Sequence, residues 1–465
     1  MKNPYLTIVS SLAQRKKTAV YFVGGCLRDF ALGREVSDFD FTLKKGAITF
    51  ARSFARTIKG AFVLLDEGHG SGRVVKKEGG LICTFDFTDF RGKTLAEDIG
   101  LRDFTVNTLC LEVGKPMQGI EDIKGALRDI HKKTVRMVSA RVFKDDPLRL
   151  MRAYSLHAVL GFKIEPKTLA QIKKDKDLIK NVAMERVREE LFKVLASSRA
   201  YDTLSAMDKI GLLPHVIPQL TLMYGVKQGG YHHLDVWKHS LEVVNQLEKM
   251  IPVHTSNPRI EAYLKQDIGG AHNRLSLLKL AAVLHDIGKP QTRKFDGKRM
   301  TFHTHEHVGK SITRHVAKQI KLSIKERYFL EDMVSNHLRP GYLSNFKKPT
   351  TKAVYRYMRD TGEEAASLAL LALADQAATR GPLTGAAKHK HHKAICQMLI
   401  DKFFTPPVST TPKERLLTGN DLIKKLKLKP SPLFGEILIK VEEAQALGKI
   451  KTKEEAVLLA RKLAK

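Results

Sequence analysis

Two aspartates two positions apart, Asp38 and Asp40 in the run SDFDF, are the residues of this sequence best spaced to do chemistry. On an extended strand alternate side chains share a face, so the two carboxylates would sit side by side. Paired carboxylates next to phosphate oxygens suit Mg²⁺. Two metals so held can activate an attacking hydroxyl and stabilise a leaving pyrophosphate. Upstream, Gly24 and Gly25 follow a short apolar strand, Ala19–Val23, and precede a helical stretch. Glycines there let backbone N–H groups approach a triphosphate, and the helix N-terminus adds a favourable dipole. Arg28, one turn into that helix, can reach the same phosphates. A lone Gly-Gly is usually a turn and a lone DxD usually a solvated strand edge. Their order and closeness are what point to nucleotide chemistry.

A second constellation lies downstream. His239, the adjacent His285 and Asp286, then His305, His337 and Asp375 each fall in or beside a helical pattern. Neighbouring His and Asp supply two ligands from one turn, and the distant residues complete a shell. Imidazole and carboxylate suit Mn²⁺, Fe, Ni²⁺ or Co²⁺. A metal-bound water can attack a phosphate ester. The chain has 18 histidines, so chance occurrences are expected. His389, His391 and His392 read as a solvated basic patch, and His307 competes with His305 for a place in the set.

Elements must position these groups. Strand candidates are Ala19–Val23, Asp38–Leu43, Ala61–Leu65, Leu81–Phe87 and Leu109–Val113, with a helical pattern over Ala47–Ile58. From about Asp145 the apolar spacing is helical almost throughout, as in Asp146–Leu160, Met184–Ala196 and Leu241–Met250. Breaks fall at GVKQGGY and TRGPLTGAAKHKHH, and TPPVSTTPK (Thr405–Lys413) is a further linker candidate. Thr452 and Glu455 have capping-box spacing. The fold class expected is therefore α+β: a small α/β head over 1–140, a helical neck over 141–225, a helical region over 226–385 carrying the His/Asp set, and a helical tail over 386–465.

Lys and Arg number 80 against 49 Asp and Glu, a net charge of +31. Such an excess attracts polyanions. No apolar run approaches the roughly 18 residues of a membrane span, so no membrane partner is expected. Cys26, Cys83, Cys110 and Cys396 are scattered without CxxC spacing, which fits a reducing cytoplasm.

GGCLRD followed by DFD resembles the class II tRNA nucleotidyltransferase and bacterial poly(A) polymerase family, within the polymerase-beta-like superfamily. Arg102, Asp103, Phe104, Thr105 and Asn107 resemble its RRDFTxNAL segment, with Leu101 in place of the first arginine. IEDIKGALRDI, DDPLRLMRAYSLHAVLGFKIEP and ERVREEL follow in the family's order, and LLTGNDL with the stretch after it resembles the tail. The His/Asp set resembles the HD metal-dependent phosphohydrolases. The resemblance implies a nucleotidyltransferase head, a base-selecting neck, an HD domain and an RNA-binding tail. It implies that Arg102 binds phosphate, that Asp103 and Asn107 face the sugar, and that Arg152 supports the nucleotide. Implied substrates are CTP and ATP with the 3′ end of tRNA. A poly(A) polymerase would share every head motif, and an HD phosphohydrolase or 2′,3′-cyclic phosphodiesterase is a rival main activity.

Asp146 and Arg149 carry a physical logic of their own. Arginine donates and aspartate accepts. Cytosine and adenine each present an amine beside a ring-nitrogen acceptor, whereas uracil and guanine present a carbonyl and a ring N–H. The pair can thus accept C and A without a template. Two departures from the family matter: Ser155 stands where an arginine is usual, and the segment Asp89–Leu101 is short. Loss of a longer flexible loop there is associated with enzymes that add only CC. The charge yields a first prediction. Affinity for tRNA, measured by filter binding, falls steeply as salt rises because neutralised phosphates release counterions; a flat dependence would contradict a phosphate-dominated interface.

Overall fold

The computed structural model describes residues 4–79, 81–270, 272–405 and 415–464. The chain forms two compact units, one running to residue 199 and including 206–216, the other comprising 200–205 and the chain from 217 onward.

The first unit is built on a seven-stranded sheet. Its strands are β1 (Val20–Val23), β2 (Asp38–Leu43), β3 (Ala61–Asp66), β4 (Ser71–Glu78), β5 (Leu81–Asp89), β6 (Leu109–Glu112) and β7 (Glu121–Asp122), in the spatial order β3-β4-β5-β2-β1-β6-β7. β2 and β5 are parallel, and the other pairs are antiparallel. The five expected strands are present, with ends shifted by a residue or two. β4 escaped the sequence reading because SGRVVKKE holds only two adjacent valines among polar residues. It exists because both its edges are paired, to β3 and to β5, and that tertiary context overrides weak local propensity.

The register between β2 and β5 sorts side chains by chemistry. Phe39 faces Phe85, Phe41 faces Phe87, and Asp40 faces Asp86. Because the strand period is two, all four phenylalanines lie on one sheet face and the aspartates on the other. Phe39 stacks on Phe85 with centroids 5.1 Å apart, and Phe41 on Phe87 at 4.9 Å. The helix Ala47–Ile58 covers this face with Phe50, Phe54 and Ile58, spaced as a helical stripe requires.

In the neck, the helix begins at Arg149 and runs to Leu160, so Asp146 is not on it. This corrects the expected helix Asp146–Leu160. Asp146 precedes Pro147, and the proline ring disfavours helical backbone in the preceding residue. Asp146 accordingly takes φ −150° and ψ 100°. The helix Met184–Ala196 packs alongside.

Among the described residues, the second unit is helical apart from a hairpin of two two-residue strands, Lys294–Phe295 and Met300–Thr301. Helices Val236–His254, Arg274–Leu284, His305–Gln319, Ile324–Asn336 and Ala365–Ala378 make its main bundle. Val236–His254 starts earlier than the expected Leu241, because the Asp235 side chain caps the Lys238 N–H. The terminal helices Gly419–Leu426, Pro432–Ala446 and Lys453–Leu463 close a small core around Leu422, Ile437, Val441, Ala456 and Ala460. Thr452 and Glu455 form the capping box. All of Thr405–Lys413 beyond Thr405 lies outside the described residues. Among the described residues, no helix is long and apolar enough to cross a membrane.

The aromatic face generates a prediction. Phe85 is fully buried between Phe39 and Phe54. Phe85→Ala should cost about 3–5 kcal/mol of stability, read from the urea midpoint; a change below about 1 kcal/mol would show that this stack does not hold the sheet.

Candidate functional site: a nucleotide cavity and a metal centre

The acidic sheet face opens into a cavity of about 710 Å³. Gly24, Gly25, Arg28, Asp38, Asp40, Arg102, Asp103, Asn107, Asp146, Arg149 and Arg152 all line it, so the structure brings these head and neck residues to one place. Gly24 shows how tightly. It adopts φ +85°, and a Cβ there would lie 2.9 Å from Asp40 Oδ2 and 3.1 Å from Arg102 Nη1. Only glycine leaves the turn open between a carboxylate and a guanidinium.

Asp40 is a perturbed carboxylate. Burial pushes its pKa up to about 6, against the pull of Arg102, and nearby Asp86 and Asp38 push the same way. Three carboxylates on one face repel one another, and a divalent cation is the species that relieves this. Asp38 and Asp40 therefore fit a metal such as Mg²⁺. Asp86 was missed in the sequence; the signal was there in FDF, which repeats the alternation of DFD. Arg73 grips Asp86 with two bonds of 2.7 Å.

The RDF segment forms the base of the cavity. Asp103 accepts from Arg152 Nε at 2.9 Å and Nη2 at 2.7 Å, and from the Asn107 amide at 2.9 Å. Burial alone would raise its pKa, but Arg152, Asn107 and the Phe104 N–H hold it down to about 2. Asn107 in turn accepts from Arg28, whose other nitrogens are paired with Asp29. Ser155 donates to Glu190, which also pairs with Lys193 at 2.8 Å. The position that lacks the usual arginine is thus filled by a different polar network.

Asp146 and Arg149 do not pair with each other. Asp146 takes a contact of 3.3 Å from Arg186, and its other oxygen accepts from the Leu148 N–H. Arg149 is buried, and its guanidinium donates to the carbonyls of Val142 at 3.4 Å and Leu101 at 2.9 Å. Leu101 ends the short loop before the RDF segment. That loop is pinned. Thr94 caps the helix Leu95–Gly100, the Arg91 N–H donates to Asp98, and the Lys93 N–H donates to Glu97.

In the second unit the six expected donors converge as two triads: His239, His285 and Asp375, and Asp286, His305 and His337. The Asp286 carboxylate lies between them, Oδ2 3.1 Å from His285 Nε2 and Oδ1 3.4 Å from His305 Nε2. His305 is buried at the cluster, whereas His307 is exposed, which decides between them. The Nδ1 atoms of His285, His305 and His337 lie 2.9, 2.7 and 2.7 Å from the carbonyls of Ala282, Phe302 and Val334. A carbonyl only accepts, so each Nδ1 carries a proton and each ring turns its Nε2 to the cluster. His305 and His337 face each other through Nε2 atoms 3.2 Å apart. Two imidazole nitrogens that close, beside the Asp286 carboxylate, suit a shared cation. The donors fit a transition metal. Burial lowers the His337 pKa to about 3, which keeps it neutral.

This combination defines a two-site, divalent-metal-dependent protein with a polymerase-type nucleotidyltransferase head and an HD region. Family models match in chain order: the poly A polymerase head domain over 20–136, a probable RNA- and SrmB-binding site of polymerase A over 161–223, the HD domain over 236–379, and a putative tRNA nucleotidyltransferase domain 2 over 349–460. The A-adding tRNA nucleotidyltransferase of Deinococcus radiodurans is 31% identical over 93% of each chain. The CC-adding enzyme of Thermus thermophilus is 30% identical over 93% of this chain and 91% of its own. The solved Thermotoga maritima CCA-adding enzyme complexed with tRNA has the same fold, with TM-score 0.62 at 19% identity over 99% of this chain and 94% of that one. The chain belongs to the tRNA nucleotidyltransferase family.

The tight turn generates a prediction. Gly24→Ala should lower nucleotide addition by at least about tenfold, the cost of displacing one charge-assisted contact, and Asp40→Ala should abolish it, while tRNA affinity stays nearly unchanged in both. Full activity in Asp40→Ala would remove that carboxylate from the reaction.

Proposed function

We propose that the chain adds C residues to the 3′ end of tRNA without a template, and that its pocket is fixed for one base. In this reading the RNA 3′-hydroxyl attacks the α-phosphorus of CTP and pyrophosphate leaves. Asp38 and Asp40 hold Mg²⁺, which supplies activation of the hydroxyl and charge neutralisation on the phosphates. Gly24, Gly25, Arg28 and Arg102 cradle the triphosphate. Asp103 and Asn107 face the sugar, with Arg152 positioning Asp103. Asp146 and Arg149 read the base edge.

The observation that carries the single-base reading is the bond from Arg149 to the Leu101 carbonyl. Switching from C to A requires Arg149 to move, because adenine is larger and lies differently. Here its anchor is the end of a loop whose own backbone is tied to Asp98 and Glu97. A second reading, addition of A alone, is favoured by the similarity to the Deinococcus A-adding enzyme. For the HD region we propose hydrolysis of phosphate esters with Mn²⁺, Fe, Ni²⁺ or Co²⁺, supported by the Nε2 atoms that His285, His305 and His337 turn to the cluster.

Purified enzyme should be given CTP or ATP with two substrates, tRNA ending at the discriminator base and tRNA ending in CC. Extension of the first by CC, with no A added to the second, is the expected result. A added to the second alone would establish the A-only reading, efficient CCA completion would sink the fixed pocket, and long A tails would point to a poly(A) polymerase.

A further inference from the structure

Strand register lines up one row of side chains across the head sheet. Val63 on β3 pairs with Arg73 on β4, Arg73 with Asp86 on β5, Asp86 with Asp40 on β2, and Asp40 with Val23 on β1. Partners in register share a face, so the whole row lies on the acidic side of the sheet. Gly24 follows Val23, and a Cβ on it would lie 2.9 Å from Asp40 Oδ2. Asp40 thus has the glycine turn on its β1 side. On its other side, beyond Asp86, stands Arg73, about 10 Å away at the backbone, which is two strand spacings.

Arg73 is held but not used up. Its Nε and Nη2 donate to the two oxygens of Asp86 at 2.7 Å each. A guanidinium has five N–H donors, and among the described residues Nη1 has no hydrogen-bond partner. The side chain keeps 42% of its surface exposed and lines the nucleotide cavity. An ion pair this exposed adds little stability. Its two-pronged grip does fix the plane of the guanidinium, so a cation of set orientation borders the reacting centre.

The direction of the reaction says which anion belongs there. In nucleotidyl transfer the bond from the RNA 3′-oxygen to the α-phosphorus forms as the bond to the pyrophosphate oxygen breaks, the two oxygens lying roughly in line. With the triphosphate on the glycine turn, Arg28 and Arg102, the leaving oxygen is on the β1 side of Asp40. The 3′-hydroxyl then enters from the β5 and β4 side. The 5′-phosphate of the nucleotide that carries this hydroxyl lies one sugar further back, at Arg73.

We propose that Arg73 binds the last phosphodiester of the RNA acceptor and so positions its 3′-hydroxyl for in-line attack, with Asp86 orienting Arg73. The proposal rests on the reading that the head transfers nucleotides with the triphosphate on the Gly24 side. It gives Arg73 to the RNA and not to the incoming nucleotide.

The test uses the full chain and tRNA acceptors, ending at the discriminator base or in CC, whose last phosphodiester is either natural or an uncharged methylphosphonate. Binding is read by fluorescence anisotropy without nucleotide, so that no transfer occurs, and addition is then measured with Mg²⁺ and CTP or ATP. The wild type should bind the natural acceptor about tenfold more tightly than the methylphosphonate, the worth of one charge-assisted contact. Arg73→Ala should bind both equally and raise KM for RNA but not for the nucleotide, and Arg73→Lys should regain part of the preference. A methylphosphonate one linkage further from the end should weaken wild type and Arg73→Ala alike. Equal binding of the two acceptors by the wild type, or a preference that survives in Arg73→Ala, overturns the contact. So does a preference regained in Arg73→Ala with Asp86→Asn, which would make Arg73 only the counter-ion of Asp86. An Arg73-dependent preference without nucleotide addition to either end overturns only the transferase reading.

Discussion

Parallel pairing of β2 with β5 in one register is the constraint on which the head depends. It sets Phe39 on Phe85 and Phe41 on Phe87, and by the same stroke sets Asp40 beside Asp86. A slip of one residue would bury carboxylates under the helix Ala47–Ile58 and expose phenylalanines to the cavity. Like charges side by side are unfavourable on their own. The aromatic layer behind them holds the strands in place despite that repulsion, and the tension shows in Asp40, whose pKa burial lifts to about 6. Core packing and metal affinity are thus two faces of one alignment.

The neck is joined to the head through guanidinium groups. Arg152 holds Asp103 of the RDF segment, and Arg149 holds the Leu101 carbonyl just before it. Both arginines lie on the first turn of one helix, so that turn fixes Asp103 and the end of the short loop on the cavity wall together. Charge-assisted bonds from a buried guanidinium are strong and directional. Whatever holds the short loop still also holds Arg149 still.

Much of this was legible in the sequence. The DFD alternation and the Gly-Gly turn in the first unit, and the adjacent His285 and Asp286 in the second, each show in residue type and spacing, and within each unit the named residues came together. Three features were not legible. β4 has too few apolar residues to be seen alone, and pairing on both edges creates it. Asp146 was read onto a helix because its apolar neighbours are periodic, whereas Pro147 sets its backbone. The surroundings of His389 and His392 were not legible because nothing local says that the Gly381 N–H will bond the Tyr231 carbonyl and the Leu383 N–H that of Gly230, a clasp between distant segments. Long-range backbone contact leaves little trace in a single sequence.

The clasp also has a meaning for how the molecule is made. It joins residues about 150 positions apart, and the metal donors themselves extend from His239 to Asp375. The first compact unit ends at residue 216. During synthesis, domains fold as units and N-terminal ones first. The nucleotidyltransferase head can therefore finish folding on the ribosome while the HD centre still lacks its last carboxylate and the clasp. Metal capture at the HD centre becomes a late event, set by the arrival of Asp375, and a chain stalled before that point would carry the transferase head without the second site.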